Sequence, residues 1–214
     1  MALQIGKGET ILFIGDSITD CGRRDSARPL GNGYVKMFYD LACMREPAKQ
    51  ITVINEGISG DRVTGLRNRW QDDVLRFRPD WLSIKIGIND LHSSFGGAAD
   101  AVTPEVYRQA YEDILSRTRR ELPRCRILLI EPFYISTETS PQSFRRSVLD
   151  LLPRYTRTVR ALSTKYRTRL VRTHEEFQKL LRHYEPDMFC GEPVHPNATG
   201  HLLIAECVYA ALSR

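Results

Sequence analysis

The chain has 214 residues, of which 42% are hydrophobic and 27% are charged. This composition excludes a disordered chain, and the length predicts a single domain over residues 1–214 that buries a substantial core. The formal net charge is +5, but the arginines lie mostly in segments with helical periodicity, where they are expected to face solvent, so no nucleic-acid partner is predicted.

The first predicted strand, Thr10 to Ile14, leads directly into Gly15, Asp16 and Ser17. Apolar residues occupy both faces of this strand, which is typical of a strand buried on both sides. The glycine allows the backbone to turn, so Ser17 is expected at the carboxyl end of the strand, where open α/β sheets bind ligands. Alone, a Gly-Asp-Ser sequence is more typical of a turn, and Ser17 needs partners from elsewhere in the chain to support chemistry.

Strands and helices alternate through the rest of the chain after a loop over residues 19–33. Short apolar runs rich in β-branched residues predict four further strands, at residues 51–55, 81–86, 127–130 and 168–171. Apolar residues at helical spacing predict six helices, beginning near residues 34, 63, 103, 144, 175 and 197, and Pro153 is expected to kink or divide the fourth. This alternation predicts an α/β fold, a three-layer α/β/α sandwich around a mostly parallel sheet of five strands.

Three of the strands end in glycine and small polar residues. These strand ends are residues 15–17, 56–61 and 87–90, and residues 96–99 form a further glycine-rich loop. Such repetition is what a site built along one edge of a sheet requires, because loops on a rigid scaffold commonly carry function.

A serine hydroxyl is a weak nucleophile, so Ser17 needs a base and a group that orients the base. His195 lies in a loop bounded by prolines, and Glu192 stands three residues before it. In a loop bent by Pro193, this carboxylate can accept the imidazole Nδ1–H and leave Nε2 facing Ser17. The sequence therefore predicts Ser17, His195 and Glu192 as catalytic residues.

Attack on an ester also creates an oxyanion, which needs hydrogen-bond donors. The candidates are the backbone N–H groups of Ser17 and Gly60 and the side-chain amide of Asn89. Glycine allows close backbone approach, and asparagine offers a neutral donor. Each residue alone is typical of a turn, but together, at the ends of successive strands, they predict an oxyanion hole.

Four blocks of this sequence resemble the SGNH hydrolases, also called GDSL esterases and lipases, which have a flavodoxin-like fold. In chain order the blocks are residues 15–19, 55–60, 87–90 and 194–196. The resemblance implies that Ser17 is the nucleophile and first oxyanion donor, that Gly60 and Asn89 complete the oxyanion hole, and that His195 is the base.

Further segments are similar to the bacterial acetylxylan esterases of that family. These are residues 15–23, 79–81 and 132–135. The resemblance implies a serine esterase that removes acetyl groups from carbohydrate such as xylo-oligosaccharides, through an acyl-enzyme on Ser17. It also implies that homo-oligomers are common in the group.

One residue departs from the family pattern, which has aspartate three residues before the histidine where this chain has Glu192. Glutamate is longer by one methylene, so the same hydrogen bond needs a different backbone offset. Asp187 is an alternative orienting group, and a Ser-His dyad helped by a backbone carbonyl is a third arrangement.

Rival functions receive less support. A lysophospholipase or thioesterase needs a long apolar groove for its acyl chain, whereas the loops near Ser17 are polar and rich in arginine. The other histidines lack metal-ligand spacing, and no nucleotide-binding glycine motif occurs, so no metal and no cofactor are predicted. His201 is expected either to support the His195 loop or to lie at the surface or a helix cap.

The expected environment is cytoplasmic and away from membranes. The first residues lack the apolar segment of a signal peptide, and no run of about 18 apolar residues follows. The five cysteines are odd in number and scattered, which favours reduced thiols.

Overall fold

The computed structural model describes residues 2–97 and 100–213 of the chain. Five strands form one sheet in the order β2-β1-β3-β4-β5, and every neighbouring pair is parallel. The strands are β1 (Thr10–Gly15), β2 (Thr52–Gly57), β3 (Trp81–Lys85), β4 (Arg126–Ile130) and β5 (Arg169–Val171). The predicted α/β fold and its five strands are confirmed.

All six predicted helices form, and two shorter ones were missed. The helices are α1 (Ser17–Asp20), α2 (Tyr34–Arg45), α3 (Val63–Asp73), α4 (Ile88–Ser93), α5 (Pro104–Glu121), α6 (Phe144–Tyr166), α7 (Thr173–Leu180) and α8 (Ala198–Leu212). The missed helices, α1 and α4, have four and six residues, which is too short to show helical periodicity in a sequence. Because α6 runs unbroken through Pro153, the expected division of this helix is wrong.

The helices form a layer on each side of the sheet. On one side α2 packs against α8, and on the other α5 packs against both α3 and α6. Across the second layer, Trp70 Nε1 of α3 donates a hydrogen bond of 3.0 Å to Thr118 Oγ1 of α5, and both residues are buried. The central strand β1 is covered from both sides, as its continuous run of apolar residues predicts.

The register of the sheet aligns the strand ends that carry the predicted site. Gly15, the last residue of β1, pairs with Gly57 of β2 and with Lys85 of β3. A Cβ atom at Gly15 would lie 2.2 Å from the Lys85 carbonyl oxygen, so only glycine fits there. After β2 the chain stays close to β1, because Ile58 N–H donates to the Gly15 carbonyl at 3.0 Å.

The glycine-rich loop, the absence of a membrane span and the single domain were also predicted from the sequence. Gly96 and Gly97 lie in the predicted glycine-rich loop, whereas Ala98 and Ala99 of that loop lie outside the described residues. Within residues 2–97 and 100–213, no helix is long and apolar enough to cross a membrane. All five strands belong to the same sheet, and one domain over residues 1–214 stays a prediction from the sequence.

Candidate active site

Ser17 is the first residue of α1, directly beyond the carboxyl end of β1. Asp16 caps this helix, because its Oδ1 accepts the N–H of Ile18 at 3.0 Å. Ser17 Oγ lies 2.9 Å from Nε2 of His195, at the far end of the chain. The structure thus joins the predicted serine and histidine by a hydrogen bond.

Glu192 occupies the other side of the imidazole ring. Its Oε1 pairs with Nδ1 of His195 and also accepts the His195 N–H at 2.8 Å, while Oε2 accepts the Val194 N–H at 2.9 Å. Partial burial raises the pKa of Glu192, but the hydrogen bonds from Val194 and His195 outweigh it and hold the pKa below its ordinary value. Glu192 therefore stays charged beside the ring.

Asp187, the alternative orienting group, lies in a 3-10 turn over residues 186–188. Its backbone carbonyl accepts a hydrogen bond from Asn197 Nδ2 at 3.4 Å. In the described part of the chain, Asp187 makes no hydrogen bond or ion pair with His195. Of the two carboxylates considered from the sequence, the structure places Glu192 on the histidine.

The loop that carries Glu192 and His195 is fixed at several points. Ile135 N–H donates to the Pro193 carbonyl at 2.9 Å, and Asn197 N–H donates to the Phe189 carbonyl at 2.8 Å. Asn197 then caps α8 by accepting the Gly200 N–H on its side chain at 3.1 Å. These contacts hold the imidazole in place although His195 lies in a loop and not in a helix or strand.

The predicted oxyanion donors lie in the segments that directly follow β1, β2 and β3: Ser17 begins α1, Gly60 lies in a turn, and Asn89 lies in α4. Gly60 has a φ of +79°, a conformation that favours glycine, and a Cβ atom there would meet nothing within 4 Å. Asn89 Nδ2 donates to the Asp61 carbonyl at 2.9 Å, which holds its amide against the Gly60 turn. Among the described residues, the N–H groups of Ser17 and Gly60 have no acceptor. Within the described part of the chain, the Gly60 N–H and the second Asn89 amide hydrogen are thus available to donate to a ligand.

Lys85 was missed by the sequence analysis. Its Nζ lies 3.1 Å and 3.2 Å from the two carboxylate oxygens of Asp16, and both side chains are fully buried. Nζ also lies 5.0 Å from the centre of the Phe133 ring. A single lysine between Ile84 and Ile86 in an apolar strand is a usable signal, because a buried charge requires a partner.

Asp90, one residue after Asn89, is a buried carboxyl group beside the site. Its Oδ1 accepts the N–H of Val63 at 2.9 Å, which ties α4 to the start of α3. Its Oδ2 is buried without a hydrogen-bond partner among the described residues. Burial raises the pKa of Asp90 to about 7, opposed by the Val63 hydrogen bond.

The His201 side chain does not lie at the surface, and among the described residues it makes no hydrogen bond to the His195 loop. It is buried, its Nδ1 accepts the Tyr34 N–H at 3.2 Å, and its Nε2 lies 3.4 Å from Cys21 Sγ. Burial lowers the pKa of His201 to about 4, so the ring is neutral. His201 instead joins α8 to the start of α2 and to Cys21, the residue directly after α1.

Comparison with known proteins places this site in a family. Residues 13–203 match the model of the GDSL-like lipase/acylhydrolase family. The chain belongs to this family. It is therefore a carboxylic ester hydrolase, and the family predicted from the sequence is confirmed.

Relatives with more specific names are similar over nearly the whole chain. An acetylxylan esterase of Geobacillus stearothermophilus is 38% identical in an alignment 213 residues long, which covers 95% of this chain and 93% of the relative. The crystal structure of Axe2, an acetylxylan esterase from that organism, matches with a TM-score of 0.86 at 34% identity, over 98% of this chain and 96% of Axe2. A putative GDSL-like lipase from Parabacteroides merdae matches with a TM-score of 0.89 at 32% identity, over 99% of each chain.

Catalytic mutants of Axe2 are among the similar structures. In them a serine, a histidine, or an aspartate three residues before that histidine is replaced by alanine. This chain has the same spacing but a glutamate, Glu192, before its histidine. The departure predicted from the sequence is therefore also a difference from Axe2.

The buried carboxyl of Asp90 gives a testable pH dependence. The folded protein keeps the Asp90 proton up to about pH 7, whereas an unfolded chain releases it near pH 3.9. Asp90 ionisation therefore costs stability progressively between those two values. We expect the melting temperature of Asp90→Asn, relative to wild type, to rise between pH 4.5 and pH 7.5 by about 4 °C or more.

Differential scanning calorimetry across this pH range measures the difference. Asp72→Asn, at an exposed aspartate of α3, controls for the loss of one carboxylate. A constant difference between Asp90→Asn and wild type would contradict the assignment.

Proposed function

We propose that this protein is a serine esterase that removes acetyl groups from acetylated xylo-oligosaccharides. The observation that carries the proposal is the chain of contacts from Ser17 Oγ through His195 to Glu192, with 2.9 Å between Oγ and Nε2. The substrate class is supported by Axe2, which is an acetyl-xylooligosaccharide esterase. Both the chemistry and the substrate class follow the predictions from the sequence.

The first half of the reaction forms the acyl-enzyme. Ser17 Oγ attacks the carbonyl carbon of the acetyl ester while His195 Nε2 takes the hydroxyl proton. Glu192 stabilises the imidazolium that forms, because its carboxylate is already held charged by the hydrogen bonds from Val194 and His195. When the tetrahedral intermediate collapses, the C–O bond to the sugar breaks, and His195 returns the proton to the departing sugar hydroxyl.

The oxyanion is stabilised by the Ser17 and Gly60 N–H groups and by the Asn89 amide. In the second half of the reaction, His195 removes a proton from water, whose oxygen attacks the acetyl carbonyl. The Ser17 ester bond then breaks, the serine recovers its proton from His195, and acetate leaves. No cofactor or metal takes part in this sequence of steps.

Glutamate suits this loop because both carboxylate oxygens are used. One oxygen serves the imidazole and the His195 N–H, and the other serves the Val194 N–H. The Glu192 side chain, which is one methylene longer than aspartate, folds back over residues 194 and 195 to make these hydrogen bonds. The proposal therefore assigns the orienting role to Glu192.

Two further properties, the oligomeric state and the cellular location, remain predictions from the sequence. Association into a homo-oligomer is expected from the resemblance to acetylxylan esterases, and analytical ultracentrifugation measures it. The cytoplasmic location is an expectation from the sequence alone.

Substrate preference and the role of Ser17 are tested together. We expect wild type to release acetate from acetylated xylo-oligosaccharides and to prefer acetyl over long-chain nitrophenyl esters. Ser17→Ala removes the nucleophile and should lower kcat by about 10⁴-fold or more on each substrate. Retained activity in Ser17→Ala would refute the mechanism, and a preference for long acyl chains would favour a lysophospholipase or thioesterase activity.

The oxyanion role of Asn89 predicts a loss confined to the transition state. Asn89→Ala should lower kcat by about 10²- to 10³-fold with little change in KM, because the oxyanion exists only after attack. Steady-state kinetics on nitrophenyl acetate measures both constants. Ser59→Ala, at an exposed residue next to Gly60 in the turn after β2, is the control. An unchanged kcat in Asn89→Ala would show that Asn89 is not an oxyanion donor.

The choice between Glu192 and Asp187 is tested by paired amide substitutions. Glu192→Gln removes the charge that stabilises the imidazolium and should lower kcat by about 10²- to 10⁴-fold. Asp187→Asn should leave kcat within about twofold of wild type, since surface substitutions usually have small effects. The reverse pattern would transfer the orienting role to Asp187.

A further inference from the structure

A cluster of four rings lies beside the proposed catalytic residues. The rings belong to His92 and Phe95 and to Tyr134 and Phe144, and we call them the aromatic wall. The His92 ring centre lies 6.0 Å from that of Tyr134 and 5.9 Å from that of Phe144, and the Phe95 and Phe144 centres are 5.1 Å apart. His92 lies in α4, and Phe95 lies in the turn directly after it. Tyr134 lies in the loop after β4, and Phe144 is the first residue of α6.

The outer part of the wall is open to solvent. Phe144 is 56% exposed and Phe95 is 40% exposed, whereas Tyr134 is buried. Single exposed apolar residues are normal, but two phenylalanine rings in contact form an apolar patch next to a site. Neither phenylalanine is needed to cover the main core.

Three observations place the wall next to the reacting atoms. His92 follows Asn89 by three residues in α4, so both side chains lie on one face of that helix. Tyr134 precedes Ile135, whose N–H donates to the Pro193 carbonyl in the loop of Glu192 and His195. Burial lowers the pKa of His92, and the negative charge of Glu192 acts on that ring in the opposite direction, which requires proximity.

The chemistry of the patch favours a sugar ring as its occupant. An acetyl group is too small to reach beyond the oxyanion hole, so the alcohol part of the substrate must be recognised elsewhere. The C–H face of a pyranose is apolar and flat, and its hydroxyl groups can stay in water when that face rests on an exposed aromatic ring. A long acyl chain would instead be buried best in an enclosed apolar groove.

We propose that the aromatic wall is a carbohydrate subsite of this esterase, in which Phe144 and Phe95 stack against a xylose ring adjacent to the acetylated sugar. This inference rests on the proposed function, because it assigns a binding surface for the same substrate. The inner part of the wall is the partly buried His92, which contacts Phe144 and is itself backed by the buried Tyr134. Phe144 and Phe95 are thus specificity residues and take no part in bond making.

The test compares a substrate that reaches the wall with one that does not. Phe144→Ala and the double variant with Phe95→Ala are assayed on acetylated xylotriose and on ethyl acetate, whose alcohol part is too small to touch the wall. We expect kcat/KM for acetylated xylotriose to fall about tenfold in Phe144→Ala, mainly through KM, and further in the double variant. The kcat/KM for ethyl acetate should stay within twofold of wild type.

Two variants serve as controls. Phe144→Trp keeps a flat ring and should retain activity on acetylated xylotriose. Phe77→Ala removes a phenylalanine whose exposure, 38%, is close to that of Phe95. Phe77 lies before β3, at the amino ends of the strands, so this variant should leave kcat/KM unchanged for both substrates. Circular dichroism melting curves check that each variant is folded.

The outcomes separate this inference from the proposed function. Equal losses on both substrates in folded Phe144→Ala, no loss on acetylated xylotriose, or a loss confined to long-chain esters would each overturn the subsite. Wild-type activity on ethyl acetate without activity on acetylated xylotriose would overturn the proposed function, and the inference with it. Selective loss on acetylated xylotriose supports both.

Discussion

The ion pair between Asp16 and Lys85 is the interaction on which the site depends. Both groups are fully buried, so each is stable as a charge only because the other is present. Removing one partner of such a pair typically costs about 3–5 kcal/mol of stability. Asp16 also caps the helix that begins with Ser17, so the same pair that satisfies two buried charges fixes the backbone of the proposed nucleophile.

The parallel sheet turns distant parts of the chain into neighbours. Gly15 pairs with Gly57 and Lys85, so the turns after β1, β2 and β3 start at one level of the sheet edge. Glycine at position 15 is required for this close approach, and hydrogen bonds from Ile58 and Asn89 then hold the turns together. The loop of His195 comes from the segment between α7 and α8, beyond the last strand, and a hydrogen bond from Ile135 holds it in place.

Two carboxyl groups near the site are driven to opposite proton states. Glu192 is half-exposed and accepts hydrogen bonds from two backbone N–H groups, so its pKa is lowered and it stays charged. Asp90 is buried and has one oxygen without a partner among the described residues, so its pKa rises to about 7. The group that faces the imidazole is the one suited to stabilise a positive charge, which is the usual logic of paired carboxyl groups in active sites.

The sequence by itself determined the five strands and the six long helices, because apolar periodicity and turn residues are local signals. Its motif blocks also predicted Ser17, His195 and the oxyanion donors, but they left the group that orients His195 open. It did not reveal α1 or α4, which are too short for such a signal. Only the tertiary structure paired Lys85 with Asp16, placed Glu192 and not Asp187 on His195, and assembled the aromatic wall. Each of these depends on contacts between residues far apart in the chain, or on how a loop is anchored by its neighbours, and spacing along a sequence does not encode such contacts.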